Sequence, residues 1–265
     1  MIIIGERINS SRKKIAEAIE KKDAEFIQKE AMIQVEVGAG YLDLNAEVFR
    51  EKEIEYLAWL IKVVQGVTDK PLCIDSTNLE AFTAVLPLCK GRTFLNSITA
   101  RKEAISAIVP LLKNYPCNIV AICLGDPQMQ TTGNSRIKIA SQIIDNLAGY
   151  GIDLDNIYID PLVKAISTDS NSAIVALNTI KQVREKYPKV HTICGVSNIS
   201  FGLPYRKQIN ETFIVMAIER GLDTVIVDPC DKQLMANIIT ARLLLGEDEY
   251  CLNYINAYRE GKLPG

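Results

Sequence analysis

A chain of 265 residues that is 48% hydrophobic holds enough apolar material for one large core, and 32 acidic against 30 basic side chains leave no broad basic surface of the kind nucleic acid requires. Seven cysteines, an odd number with no C-x-x-C pair, point to neither a disulfide framework nor a zinc ribbon, and they fit a reducing cytoplasm. The opening MIIIGERIN is too short an apolar run for a signal peptide or a membrane span, so a soluble, unprocessed protein with no membrane partner is expected.

Short β-branched runs alternate with amphipathic stretches along the whole chain, the pattern of a parallel sheet built from βα units. The first predicted strand is 2–6. Asp23, ahead of Ala24, Glu25 and Phe26, reads as the N-cap of a helix that stops at Gly38, and a second strand follows at 41–45. Ile54, Leu57, Ala58, Ile61 and Val64 then recur at spacings of three and four, with Glu51, Lys52, Glu55 and Lys62 on other faces, which predicts a helix packed on the sheet. Further strands are predicted at 72–75, 93–96, 118–124, 156–160, 190–197 and 224–228. Asp231 and Gly246 bracket a last barrel helix carrying Leu234, Ile238 and Leu245, and an added helix is predicted at 248–260. Eight βα units without a long linker predict a single domain over 1–265, a (β/α)8 TIM barrel with an additional C-terminal helix. An open doubly wound sheet is the competitor, but the first turn, GERINSSRKK, has no second glycine.

The predicted strands end in Glu6, Asn45 with Asp43, Asp75, Asn96, Asp126, Asp160, Asn198 and Asp228. Any one of these alone reads as a helix cap, and Asp75-Ser76-Thr77-Asn78 contains one. Together they form a ring, because barrel strands bring their C-terminal ends to one mouth, where sites of this fold are built. Cations are few there, and SFGLPYRK and PCDKQL lack a Gly-rich phosphate pattern, so sugar-phosphate chemistry is not supported. No lysine stands inside a predicted strand for a Schiff base. Carboxylates and amides suit instead a flat, neutral heterocycle with N–H donors along one edge. His191 opens the seventh strand, opposite the mouth, and reads as structural. Cys73, Cys123, Cys194 and Cys230 leave a thiolate zinc site open, although buried structural cysteine is the favoured reading.

GERIN (5–9), LDLN (42–45), CIDSTN (73–78), LNSITA (95–100), YIDPLV (158–163) and GVSNISFGLP (195–204) resemble, in order, the strand ends of pterin-binding methyltransferases. The likeness is to the methyltetrahydrofolate:corrinoid/iron-sulfur protein methyltransferases and their relatives in corrinoid-dependent demethylase systems, with the folate module of cobalamin-dependent methionine synthase a more distant cousin. It implies a homodimeric (β/α)8 barrel with the pterin in its mouth. Asp75, Asn96 and Asp160 would hold the pterin edge, with Gly195 and Ser197 nearby and Asn198 reaching N5. Glu6, Asp43, Asn45 and Arg206 would be further substrate contacts, and no metal would be held by the chain itself. The implied reaction moves a methyl group between N5 of tetrahydrofolate, as 5-methyltetrahydrofolate, and the cobalt of a corrinoid (cobalamin) carried by a partner protein. An amide at Asn198 can donate to N5 or accept from an N5-bound proton as the charge there changes, which suits the step.

Two other readings stand beside this one. Dihydropteroate synthase shares the pterin barrel, but its DPG turn is replaced here by Asp160-Pro161-Leu162. A non-catalytic folate-binding module is the other. The segments CLGDPQMQTTGNSR and FGLPYRKQIN are expected to frame the mouth, where Arg206, Lys207 and Arg136 meet a benzoyl-glutamate tail, the partner, or solvent.

Overall fold

The computed structural model describes residues 1–125 and 133–264. Among them eight strands, each hydrogen-bonded to the next in chain order, close into a parallel barrel. They are β1 (Ile2–Asn9), β2 (Tyr41–Asn45), β3 (Leu72–Asp75), β4 (Thr93–Ile98), β5 (Cys117–Ile122), β6 (Ile157–Asp160), β7 (His191–Gly195) and β8 (Thr224–Val227). The outer ring is α1 (Lys13–Glu20), α2 (Ala24–Glu36), α3 (Glu53–Val64), α4 (Leu79–Val85), α5 (Lys102–Asn114), α6 (Gly133–Gly149), α7 (Ser172–Lys186), α8 (Arg206–Glu219) and α9 (Lys232–Leu244), followed by α10 (Leu252–Arg259). None is long and apolar enough to cross a membrane.

Local chemistry accounts for the ends of these helices. The Asp23, Asn78 and Asp231 side chains accept from the backbone N–H of Phe26, Glu80 and Leu234, satisfying donors that a helix start leaves free. Gly38 and Gly246, with φ of 109° and 76°, occupy the left-handed positions that stop α2 and α9. The predicted tail helix begins with a 3-10 turn, Glu249–Cys251, and the Asp248 carboxylate accepts from the N–H groups of Asn253 and Tyr254.

Both faces of the strands are buried, as a parallel barrel demands. Leu42, Leu44, Leu72, Ile74, Leu95, Ile119, Ile157 and Ile159 face the helices in the main core. Ile4, Cys73, Phe94, Val120, Tyr158, Ile193 and Ile226 fill the barrel, with Tyr41 packed against them. Tyr41, Phe94, Tyr158 and His191 form an aromatic chain across it, with centroid spacings of 4.7, 4.6 and 4.6 Å.

Several predicted strand ends are corrected: β4 runs on to Ile98, β5 spans Cys117–Ile122 and does not reach 124, and β8 stops at Val227. Strand β1 continues to Asn9, because β2 offers it partners as far as Ile8↔Leu44 and Asn9↔Asn45 beyond an irregularity after Gly5. Strand β7 stops at Gly195, whose register partner Ile226 is the last that β8 provides it, and Val196–Ser200 turn into a 3-10 helix. Asn198 therefore stands on a turn, above the sheet.

Candidate active site

Side chains two apart on a strand share a face. One step toward the mouth from the barrel filling, Ile4 leads to Glu6, Tyr41 to Asp43, Cys73 to Asp75, Phe94 to Asn96, Val120 to Ile122, Tyr158 to Asp160 and Ile193 to Gly195. These residues, with Ile226, form the floor of a cleft of about 650 Å³. The wall is completed by Asn9 and Ser97 near the ends of β1 and β4, by Ser11, Arg12, Ser197 and Asn198 on the turns, and by Arg206, Lys207 and Asn210 at the start of α8. The alternation that packs the core thus also delivers the polar set.

Of the residues expected in the site, Glu6, Asp43, Asp75, Asn96, Asp160, Gly195, Ser197, Asn198 and Arg206 are brought together there. Asn45 stands behind them. Buried, its Nδ2 donates to Asp75 Oδ2 at 3.0 Å while its Oδ1 accepts from the Ser10 hydroxyl at 2.7 Å, so it orients Asp75. Asp228 turns from the floor to Arg7, whose Nη1 donates to it at 3.2 Å, and pairs with Arg12 at 3.5 Å. Asp126 lies outside the described residues, as does most of the segment after β5. Arg136 is not available to a folate tail, a partner or solvent: it is 1% exposed, and its Nη1 donates to the carbonyls of Pro161 and Leu162, both at 2.7 Å.

Four carboxyl groups crowd the floor, and burial raises the proton affinity of each. Burial lifts Asp75 and Asp160 to about 6 and Glu6 to about 7. Asp43 is driven well above the carboxylate range, by burial and then by the Asp75 charge, against hydrogen bonds from Cys73 and Asn96. The cations that oppose this at Glu6, namely Arg12 and Arg206, lie on one side of the rim, whereas at Asp160 the opposing charge is that of the buried Arg136. Arg12 approaches Glu6 at 3.8 Å, and Arg206 Nη2 donates to the Ser197 carbonyl at 2.7 Å. Such a floor holds acceptors in excess of donors; Asp43 Oδ1 is buried without a hydrogen-bond partner among the described residues. A row of ligand N–H groups relieves that cost.

Candidate nucleophiles are muted by comparison. Burial pushes the thiols of Cys73, Cys123 and Cys194 above their ordinary range, which keeps them protonated. His191 lies at the opposite end of the barrel, stacked on Tyr158, with Nδ1 2.7 Å from Asp223.

Asn198 differs from its neighbours in being exposed to the cleft, with no hydrogen bond to its side chain among the described residues. Its turn is nevertheless held: Phe201 N–H donates to the Asn198 carbonyl at 3.2 Å, and Arg206 Nε donates to the Ser200 hydroxyl at 3.0 Å. Gly195 leaves room beside it, since a Cβ there would stand 3.3 Å from Asn198 Nδ2. Asp160 is fixed differently, its Oδ1 accepting from Leu162 N–H at 2.7 Å. Leu162 has φ of 60°, a left-handed conformation that costs a leucine about 1–2 kcal/mol.

Sequence reasoning missed Asn9, Ser11, Arg12, Ser97, Asn210 and the two apolar floor residues, Ile122 and Ile226. The period-two pattern marks both isoleucines once the filling layer is identified. The polar wall residues carry no such signal. Ser97 follows Asn96 through a cis peptide bond.

A polar cleft of this kind, at the mouth of a parallel eight-stranded barrel, offers the acceptors that suit a flat, donor-edged heterocycle. The model of a family described as pterin binding enzyme matches residues 5–228. The chain is 35% identical over 265 residues to methylcorrinoid:tetrahydrofolate methyltransferase of Eubacterium limosum, covering 99% of this chain and 98% of that protein. It is 28% identical over 240 residues to methionine synthase of Mycobacterium tuberculosis, covering 86% of this chain and 20% of that longer protein. Solved structures share the fold. Dihydropteroate synthase of Xanthomonas albilineans with 4-aminobenzoic acid superposes with a TM-score of 0.71 at 18% identity, covering 92% of this chain and 91% of that one. The Coxiella burnetii dihydropteroate synthase in complex with pteroic acid gives 0.67 at 15%, covering 91% and 93%. The chain belongs to the pterin-binding enzymes, in their methyltransferase branch.

Proposed function

We propose that this enzyme moves a methyl group between N5 of tetrahydrofolate and the cobalt of a corrinoid carried by a partner protein, all 265 residues serving as one pterin-binding unit. The observation that carries the reading is the floor of Asp43, Asp75, Asn96 and Asp160 beneath an Asn198 amide that has no hydrogen-bond partner among the described residues. Likeness over nearly the full length to the Eubacterium limosum enzyme supports it.

The pterin's 2-amino and N3–H groups form a donor edge that Asp160 and Asp75 accept, and the Asn96 amide matches mixed donors and acceptors. The corrinoid supplies the methyl acceptor or donor. As the N5–CH3 bond breaks, N5 keeps the bonding electron pair and then takes a proton. Asn198 Nδ2–H donates to N5 while the pair develops, and its Oδ1 accepts once N5 is protonated. A contact that strengthens in the transition state accelerates the step. Orientation does much of the remaining work, because both reacting atoms belong to bound molecules.

Arg206 and Lys207, at the start of α8, sit where an anionic folate tail leaves the cleft, and the exposed rings of Phe201 and Tyr205 stand on the turn just before them, facing an incoming partner. Homodimerisation, cytoplasmic residence and service of an O-demethylation system are proposed on the resemblance alone. The dihydropteroate synthase reading loses support at Leu162, a left-handed position without glycine, and in the absence of a Gly-rich phosphate loop.

Calorimetry with 5-methyltetrahydrofolate, followed by transfer to a reduced corrinoid protein, tests the proposal. Binding at micromolar concentration together with methylation of cobalt is expected. No heat of binding at sub-millimolar folate defeats it, and binding without transfer in either direction leaves the folate-binding module.

A further inference from the structure

Arg136 lies far from the strand-end motifs, yet its guanidinium is buried beneath the turn that follows β6. Nη1 donates to both the Pro161 and Leu162 carbonyls at 2.7 Å. Leu162 N–H in turn donates to Asp160 Oδ1 at 2.7 Å. One guanidinium nitrogen thus donates to two successive carbonyls on the outside of a tight turn whose inside grips the carboxylate, while Nε and Nη2 are buried without a hydrogen-bond partner among the described residues. Two carbonyls aimed at one guanidinium hold Leu162 in its left-handed conformation, φ 60°, and that conformation points its N–H at Asp160.

From this geometry we infer that Arg136 is a positioning residue, which fixes the Asp160 carboxylate in its pterin-accepting orientation through the Pro161–Leu162 backbone. The inference rests on the proposed pterin role of Asp160. Electrostatics act in the same direction. Asp160 is raised to about 6 by burial, while the Leu162 N–H and the Arg136 charge pull it back. Among the described residues, the other titratable groups near the pair are the thiols of Cys123 and Cys194, which burial keeps neutral, and Asp169, whose charge acts on Arg136. Guanidinium is suited to this place because it stays charged when buried and its Nη1 holds two N–H groups in a fixed plane, one for each carbonyl. A lysine keeps the charge, but its ammonium ends one atom short of Nη1 and has no fixed plane.

The test compares Arg136→Lys and Arg136→Met with the wild type by folate calorimetry across pH 5–8, and by carbon-13 NMR titration of Asp160 in the ligand-free protein. Arg136→Met is expected to weaken folate binding roughly tenfold, the scale of one lost charge-assisted hydrogen bond, and to move the Asp160 titration to higher pH. Arg136→Lys is expected to keep the titration near that of the wild type and still lose affinity severalfold. Wild-type affinity and titration in a folded Arg136→Met protein overturn the inference. Should that variant not fold, wild-type affinity in Arg136→Lys does so. Failure of the wild-type protein to bind folate defeats the functional reading itself, and the ligand-free titration still reports whether Arg136 governs Asp160.

Discussion

Replacing Asn198 by alanine separates binding from chemistry. The side chain has no hydrogen-bond partner among the described residues and faces the cleft, so its removal strands no buried group. The turn that carries it is held by Phe201 N–H on the Asn198 carbonyl and Arg206 on the Ser197 carbonyl, which the substitution leaves in place. Stability should therefore change by no more than about 0.5 kcal/mol. The loss falls on the transition state, where a donor to the developing charge on N5 contributes about 2–4 kcal/mol, equivalent to roughly 30- to 800-fold in rate. Asp160→Ala should do the reverse. Losing a charged acceptor costs about 1.5–3 kcal/mol, or roughly 10- to 150-fold in folate Kd, with a smaller effect on transfer once folate is saturating. The assay is single-turnover transfer at saturating folate, followed by the corrinoid's visible absorbance, with Kd from calorimetry. An Asn198→Ala transfer rate within threefold of wild type, or a Kd that rises as steeply as the rate falls, refutes the assignment.

Gly195→Ala, at a φ of −77° that any residue adopts, should leave the melting temperature at or slightly above wild type. Its Cβ, 3.3 Å from Asn198 Nδ2, displaces that amide and slows transfer, whereas an unchanged rate means Gly195 is not needed for clearance. Gly5→Ala is expected to lower stability by about 1–3 kcal/mol in urea unfolding. The new Cβ collides with the buried Gln34 Oε1, which accepts from Arg7 N–H at 3.0 Å, and pairing it with Gln34→Ala should restore part of the loss. His191 has its pKa raised above the ordinary value, chiefly by the hydrogen bond to Asp223. The folded protein holds that proton more tightly than the unfolded chain, so the stabilisation is complete below about pH 6.5 and disappears as pH rises through the higher folded value. Thermal melts of the wild type should fall over that window relative to His191→Gln, and parallel curves for the two count against the ion pair.

Eight strands, the caps at Asp23 and Asp231 and the stops at Gly38 and Gly246 were legible in the sequence, because strand alternation, helix periodicity and capping are local properties of the backbone. The acidic floor was legible for the same reason: parallel strands closed into a barrel must bring Glu6, Asp43, Asp75, Asn96 and Asp160 to one end. Tertiary structure alone decided which polar residue faces the cleft and which serves another residue. Asn45 and Asp75 are 30 residues apart, and Arg136 and Pro161 are 25 apart. No periodicity connects them; closing the barrel does, by setting one βα unit beside the next. Asp228 was drawn off by Arg7 and Arg12, and Arg136 was drawn inward by two carbonyls, outcomes set by which partners each polar group finds when burial removes water as the alternative.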